Sequence, residues 1–142
     1  MRGFAAIGLF NPKTDFNVGS VLRAAFCYEA AMVAIQGDRF KHTGTNTFKT
    51  ERHIPVLEID DLAGAIPYGA EPIVVELTPA AQDLREFKHP HAAFYIFGPE
   101  DGHVPPRFLK YRQVKVPTNR CMNLAATVNV VLYDRLLKGS RA

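Results

Sequence analysis

Short apolar runs alternating with helix-forming segments constrain this chain more than any other feature of it. Phe4 to Phe10, Ala31 to Gln36, Ile54 to Ile59, Ile73 to Leu77 and Ala93 to Phe97 are of strand length, and Gln113 to Val116 is a briefer sixth run. Between them, Val18, Val21, Leu22, Ala25 and Phe26 recur at helical spacing. Asp60-Asp61 can start a short helix that ends near Pro67, and Pro105-Pro106 suits the first turn of another that runs through Tyr111. Asn123 to about Lys138 reads as a long apolar helix stopped at Gly139. Strands alternating with helices predict an α/β domain with a mostly parallel sheet flanked by helices. Asn11-Pro12 breaks the first strand, and Asp15 or Asn17 is the expected cap of the first helix. Gly37 to His53 lacks a period and reads as a loop. There is no internal repeat, low-complexity segment or boundary, so residues 1–142 are expected to form a single domain.

The last helix says more. Leu124, Ala125, Val128, Val131, Leu132 and Leu136 form one apolar stripe, while Ala126, Val130 and Leu137 carry apolarity onto other faces. A terminal helix with two apolar faces needs two partners. The sheet is one. The other is either a second subunit or more of the same monomer, and the sequence leaves that open.

Composition narrows the classes of function. Formal net charge is +3, compatible with a nucleic-acid partner but too weak to argue for one. Cys27 and Cys121 are far apart and form neither a CxxC pair nor a disulfide framework, which fits a reducing cytoplasm. No apolar run reaches the roughly 20 residues of a membrane span. The start of the chain leads straight into a strand-like run without a signal-peptide layout. His89-Pro90-His91 lacks further ligands at metal-binding spacing, so no metal is expected. His103 follows a turn and reads as a surface residue.

Three segments carry chemistry. Asn17, Gly19 and Arg23 open the first helix, where free N–H groups attract anions and an arginine one turn beyond Gly19 can grip a phosphate with two parallel bonds. The glycines of a dinucleotide fingerprint and the lysine of a phosphate loop are missing. Gly98-Pro99-Glu100-Asp101-Gly102 follows a buried strand, at the carboxyl end where α/β sheets bind ligands. Gly98 lets a ligand approach backbone, and Glu100 can accept hydrogen bonds or orient a neighbour. Val116-Pro117 begins a polar loop that ends in Cys121-Met122-Asn123-Leu124 and enters the last helix. Cys121 and Met122 offer soft apolar surfaces for an adenine or a thioether, and Asn123 is either a helix cap or an amide that braces the loop.

In this order and at these separations, the segments resemble the SpoU/TrmH branch of the knotted RNA methyltransferases. That family has an N-x-G-x-x-x-R, a strand ending in G-x-E-x-x-G, and an I/V-P-(loop)-S-x-N-L. The likeness extends over essentially the whole chain and is greatest to the minimal members that methylate the ribose at the tRNA wobble position. It departs at Cys121, where relatives carry serine, and at Gly102, one residue early. The resemblance implies a homodimer with a C-terminal trefoil knot, a feature nearly absent from proteins at large. It implies S-adenosylmethionine as cofactor, with S-adenosylhomocysteine as product and no metal. The cofactor would be held by Leu77, Gly98, Val116, Cys121, Met122 and Leu124, and a ribose 2′-hydroxyl of RNA, most naturally tRNA, would accept the methyl group. Arg23, Asn17, Glu100 and Asn123 are the implied catalytic set. RNA would be gripped by Arg23, by Arg39, Lys41, Lys49 and Arg52 of the basic loop, and by Arg120. The competing readings are an RNA-binding protein that has lost catalysis, a ribosomal RNA methylase, and a nucleotide-binding α/β protein that uses the crevice after Gly98.

Overall fold

The computed structural model describes residues 3–40 and 52–139. Among these residues, seven strands form one sheet: β1 (Phe4–Phe10), β2 (Val33–Gln36), β3 (Val56–Ile59), β4 (Glu71–Val75), β5 (Gln82–Asp83), β6 (Ala92–Phe97) and β7 (Arg112–Lys115). Their order is β3-β2-β1-β6-β4-β7-β5, and every pairing is parallel. The expected parallel α/β sheet is therefore present. The two-residue β5 has no apolar run to announce it and was not anticipated from the sequence.

Both α-helices, α1 (Asp15–Cys27) and α2 (Leu124–Gly139), pack on one face of the sheet. Ile7, Leu9, Val33, Ile35, Ile73, Tyr95, Phe97 and Val114 point to that face and meet Val18, Val21, Leu22 and Ala25 of α1 and Leu124, Val128, Val131 and Leu132 of α2. The alternate residues Ala6, Ala34, Val74, Phe94 and Ile96 point the other way, as the two-residue period of a strand requires. The expected short helices there are single 3₁₀ turns, Leu62–Ala65 and Pro106–Phe108, which contribute Leu62 and Phe108 to this second core. With both faces buried, the strands read as continuous apolar runs, which is the signal seen in the sequence.

Two local expectations change. Thr14, rather than Asp15 or Asn17, caps α1: its hydroxyl accepts from the Asn17 N–H at 3.2 Å, while the Asn17 side chain bonds to Glu100 and Asn123. Leu136 does not join the buried stripe of α2; it is 55% exposed, with Val130 at 39%, Tyr133 at 54% and Leu137 at 37%. The monomer therefore covers only one apolar face of this helix. No described helix is long and apolar enough to cross a membrane.

Candidate active site

All strands being parallel, their carboxyl ends share one edge, and the three segments singled out above meet there. β6 ends at Phe97, and the turn that follows carries Glu100 back over the start of α1. Glu100 accepts from the backbone N–H groups of Lys13 (3.0 Å) and Thr14 (3.2 Å), from the Thr14 hydroxyl (3.4 Å) and from Asn17 Nδ2 (2.9 Å). Asn17, only 8% exposed, accepts at Oδ1 from Asn123 Nδ2 at 2.9 Å. Asn123 accepts at Oδ1 from the Ala126 N–H at 3.0 Å and so caps α2. Each amide donates on one side and accepts on the other. The polarity runs one way, from the first turn of α2 to the carboxylate. Burial works against the charge on Glu100, but the Asn17, Lys13 and Thr14 donors outweigh it and hold the carboxyl below its ordinary range.

Beside this relay lies a cavity of about 90 Å³ lined by Glu76, Leu77, Gly98, Gly102, Val116, Cys121, Met122 and Leu124, among others. All six residues expected to touch a cofactor are in that lining. Gly98 has a steric reason to be glycine: an added Cβ would lie 3.2 Å from the Val104 nitrogen and 3.4 Å from Glu76 Oε2. Among the described residues, the cavity's charged lining residues are Glu76 and Glu100, and none of those that line it is a lysine, arginine or histidine. Its roof is the exposed loop 117–121, where Thr118 bonds inside the loop, donating to Val116 O and Arg120 O.

Arg23 stands apart from this lining. It lies on the exposed side of α1, in register with exposed Phe16 and Cys27. The basic residues expected to grip RNA separate into three groups. Arg52 and Arg120 are exposed. Lys41 and Lys49 lie outside the described residues. Arg39 gives its fork to Asp101 with two 2.9 Å bonds and donates to Asn11 O at 2.7 Å, tying the first strand's exit to the Glu100 turn. That pairing pulls the Asp101 carboxyl down to about 2.

Sequence reasoning missed Glu76. It directly follows β4, its side chain is 10% exposed, and it is held by His103 and Val104. Only the apolar strand before it marked the position. His103 is a surface residue, as expected, with its side chain 72% exposed. Among the described residues no group of three or more His, Cys, Asp or Glu is placed to hold a metal.

The profile described as the SpoU rRNA Methylase family matches residues 5–133. No curated protein sequence matches significantly. Among solved structures, one described as giving structural insights into the 2-OH methylation of C/U34 on tRNA superimposes with a TM-score of 0.85 at 20% identity, each chain covered over 100% of its length. The A. aeolicus TrmH/SpoU tRNA modifying enzyme gives 0.84 at 13% identity, over 99% of this chain and 77% of that one. The methyltransferase AviRb from Streptomyces viridochromogenes, in complex with AdoMet, gives 0.83 at 13% identity over 100% and 63%. At these identities the likeness is one of fold.

Proposed function

This chain belongs to the SpoU rRNA methylase family, and from that premise we propose that it transfers the methyl group of S-adenosylmethionine to a ribose 2′-hydroxyl of tRNA. One observation carries the reading. The Glu100–Asn17–Asn123 relay joins the two helix N-termini to the rim of a pocket that all six candidate cofactor residues line. The choice of tRNA rests on the full-length likeness to the structure concerned with C/U34.

The donor set fits the cofactor. A cationic sulfonium suits a lining that, among the described residues, has two carboxylates and no cation, whereas a nucleoside phosphate would need the reverse. That difference disfavours the nucleotide-binding alternative. Leu77, Val116, Met122 and Leu124 supply apolar surface for an adenine, and Gly98 supplies approachable backbone. The cavity is smaller than the roughly 300 Å³ at the low end of ligand pockets. We infer that the exposed loop over it, whose Thr118 bonds, among the described residues, only to the neighbouring Val116 and Arg120 carbonyls, lifts to admit the ligand.

When bound, the cofactor supplies an activated methyl group on a good leaving group, so no metal has to be invoked. The protein's work is to orient the ribose and help its hydroxyl lose a proton. We assign Arg23 to the RNA side of this task. A guanidinium with a pKa above about 12 is a poor base near neutral pH, but it can anchor the adjoining phosphate and stabilise developing alkoxide charge. Asn17, Glu100 and Asn123 hold α1 and α2 in place; they are positioning residues. Arg52, Arg120, Lys41 and Lys49 are assigned to phosphate contacts, with Arg39 bracing the turn beneath.

We further infer a cytoplasmic homodimer in which a second copy covers Val130, Tyr133, Leu136 and Leu137. Strand β7 inserts between β4 and β5, which residues 76–81 already join, and the chain then returns to α1. We take this path to close the trefoil knot.

The test is methyl transfer from labelled S-adenosylmethionine to unmodified total RNA, followed by digestion and separation of nucleosides, for wild type and Arg23→Ala. Label in a 2′-O-methyl nucleoside of tRNA, reduced at least about 100-fold in the variant, is the expected result. Label in a base, or in ribosomal RNA alone, would overturn it.

A further inference from the structure

Glu76 occupies the centre of the cofactor pocket's wall. β4 lies between β6 and β7, so the residue that leaves it emerges between Gly98 and Val116. Its backbone N–H donates to Val114 O at 3.0 Å, extending the β4–β7 ladder by one step. The side chain then crosses the bare Cα of Gly98. Oε2 accepts from the Val104 N–H at 3.2 Å, and Oε1 lies 3.1 Å from His103 Nδ1. Two contacts use about half of a carboxylate's acceptor capacity. Glu100, the other acid in the lining, is turned to Lys13, Thr14 and Asn17 instead. Glu76 is thus a carboxylate fixed in a lining that, among the described residues, holds no lysine, arginine or histidine.

We propose that Glu76 is a specificity residue that makes the pocket prefer the charged methyl donor to the spent product. The inference rests on the function proposed above. Donor and product share adenosine and the amino-acid tail; they differ by one methyl group and one positive charge. In the transfer, the ribose oxygen forms a bond to the methyl carbon and the carbon–sulfur bond breaks. The electron pair goes to sulfur, which becomes a neutral thioether, and the hydroxyl proton leaves to solvent. Apolar contacts and backbone hydrogen bonds hold both species alike. A carboxylate in a site of reduced polarity distinguishes them, because its attraction for the ligand drops when the charge disappears. Product then leaves more easily than donor, which lets the site reload.

The experiment is calorimetric titration of S-adenosylmethionine and of S-adenosylhomocysteine into wild type, Glu76→Gln and His103→Ala. The glutamine keeps an oxygen for the Val104 N–H and removes the charge. Glu76→Gln should weaken donor binding about tenfold and product binding less than about threefold, a selective loss of about 0.7–1.4 kcal/mol. His103→Ala should leave the ratio of the two affinities unchanged. Wild type needs no variant: it should bind the donor more tightly than the product. Equal losses for both ligands in Glu76→Gln, or a wild type that holds the product as tightly as the donor, would overturn this inference and leave the cofactor site standing. Wild type that binds neither ligand would overturn the cofactor reading as well.

Discussion

The two edges of the sheet both tie a helix down with a polar network, and they do it differently. At the carboxyl edge the relay Glu100–Asn17–Asn123 is partly open to solvent and borders the pocket. At the amino edge the network is closed on itself. Arg135 donates to the Tyr95 hydroxyl at 2.9 Å, Tyr95 lies 2.7 Å from His89 Nδ1, and His89 Nε2 lies 2.7 Å from Asp134 Oδ2. Lys138 completes it at 2.8 Å from Asp134 and also donates to the Leu84 and Phe87 carbonyls. A neutral His89 satisfies every group: Tyr95 O–H donates to Nδ1 and Nε2–H donates to Asp134. Burial accordingly lowers the His89 pKa against the pull of Asp134, and burial raises that of Tyr95 to about 12. A larger hollow of about 1080 Å³ adjoins this edge, lined in part by Tyr28, His89, Arg135 and Leu136. Size alone would therefore have pointed to the amino edge. The candidate motifs converge at the carboxyl edge instead, and the amino-edge network is read as structural.

The widest separation between the edges should come from Glu100→Ala. It strands donors on Lys13, Thr14 and Asn17, and about 2–3 kcal/mol of stability is expected to go, moderated by the carboxylate's partial exposure. Methyl transfer should fall more than the folded fraction does; urea unfolding and rate measured on the same preparation check this. Transfer that merely tracks the folded fraction would put the relay on a level with the amino edge. Tyr95→Phe comes next. It removes a fully buried hydroxyl from between Arg135 and His89 and should cost about 1–3 kcal/mol, with transfer by the folded enzyme unchanged.

Acid should separate the edges without mutation, with a smaller effect. The native pKa of His89 lies below its ordinary 6.5, so the unfolded chain takes the proton first. Stability from this edge is complete above 6.5 and declines as pH falls toward the native value. Glu100 lies below its ordinary 4.5, so its contribution holds above 4.5 and is lost only as pH falls through its own native value. Thermal midpoints should therefore begin to drop near pH 6 in wild type and stay flatter there in His89→Gln. The same early decline in both would remove His89 as its cause. Cys121→Ser should have the least effect: a stronger hydrogen-bonding group in the pocket should tighten S-adenosylmethionine binding about twofold to fivefold, read by titration.

The strands and both α-helices were legible because burial on two faces leaves an unbroken apolar run and helical packing leaves its own spacing. Asn17, Glu100 and Asn123 were legible as motif members, and Asn123 as a cap, since capping is a local matter. That they bond to one another was not, because residues 83 and 106 positions apart meet only after the sheet is ordered. Glu76 escaped notice for the same reason: nothing beside it in sequence says that Val104 and His103 fold back onto its carboxylate. Arg39 read as a phosphate grip because Asp101, its partner, is 62 positions away.

By itself the sequence determined the parallel α/β class, the two-faced last helix and the order of three motif segments, all of which depend on patterns within a few residues. Only the tertiary structure decided the strand order, the edge at which the segments converge and which charges remain facing the pocket. Those outcomes depend on contacts between distant residues. A hydrogen bond or ion pair depends on distance and direction in space, and local periodicity carries neither across a hundred residues of chain.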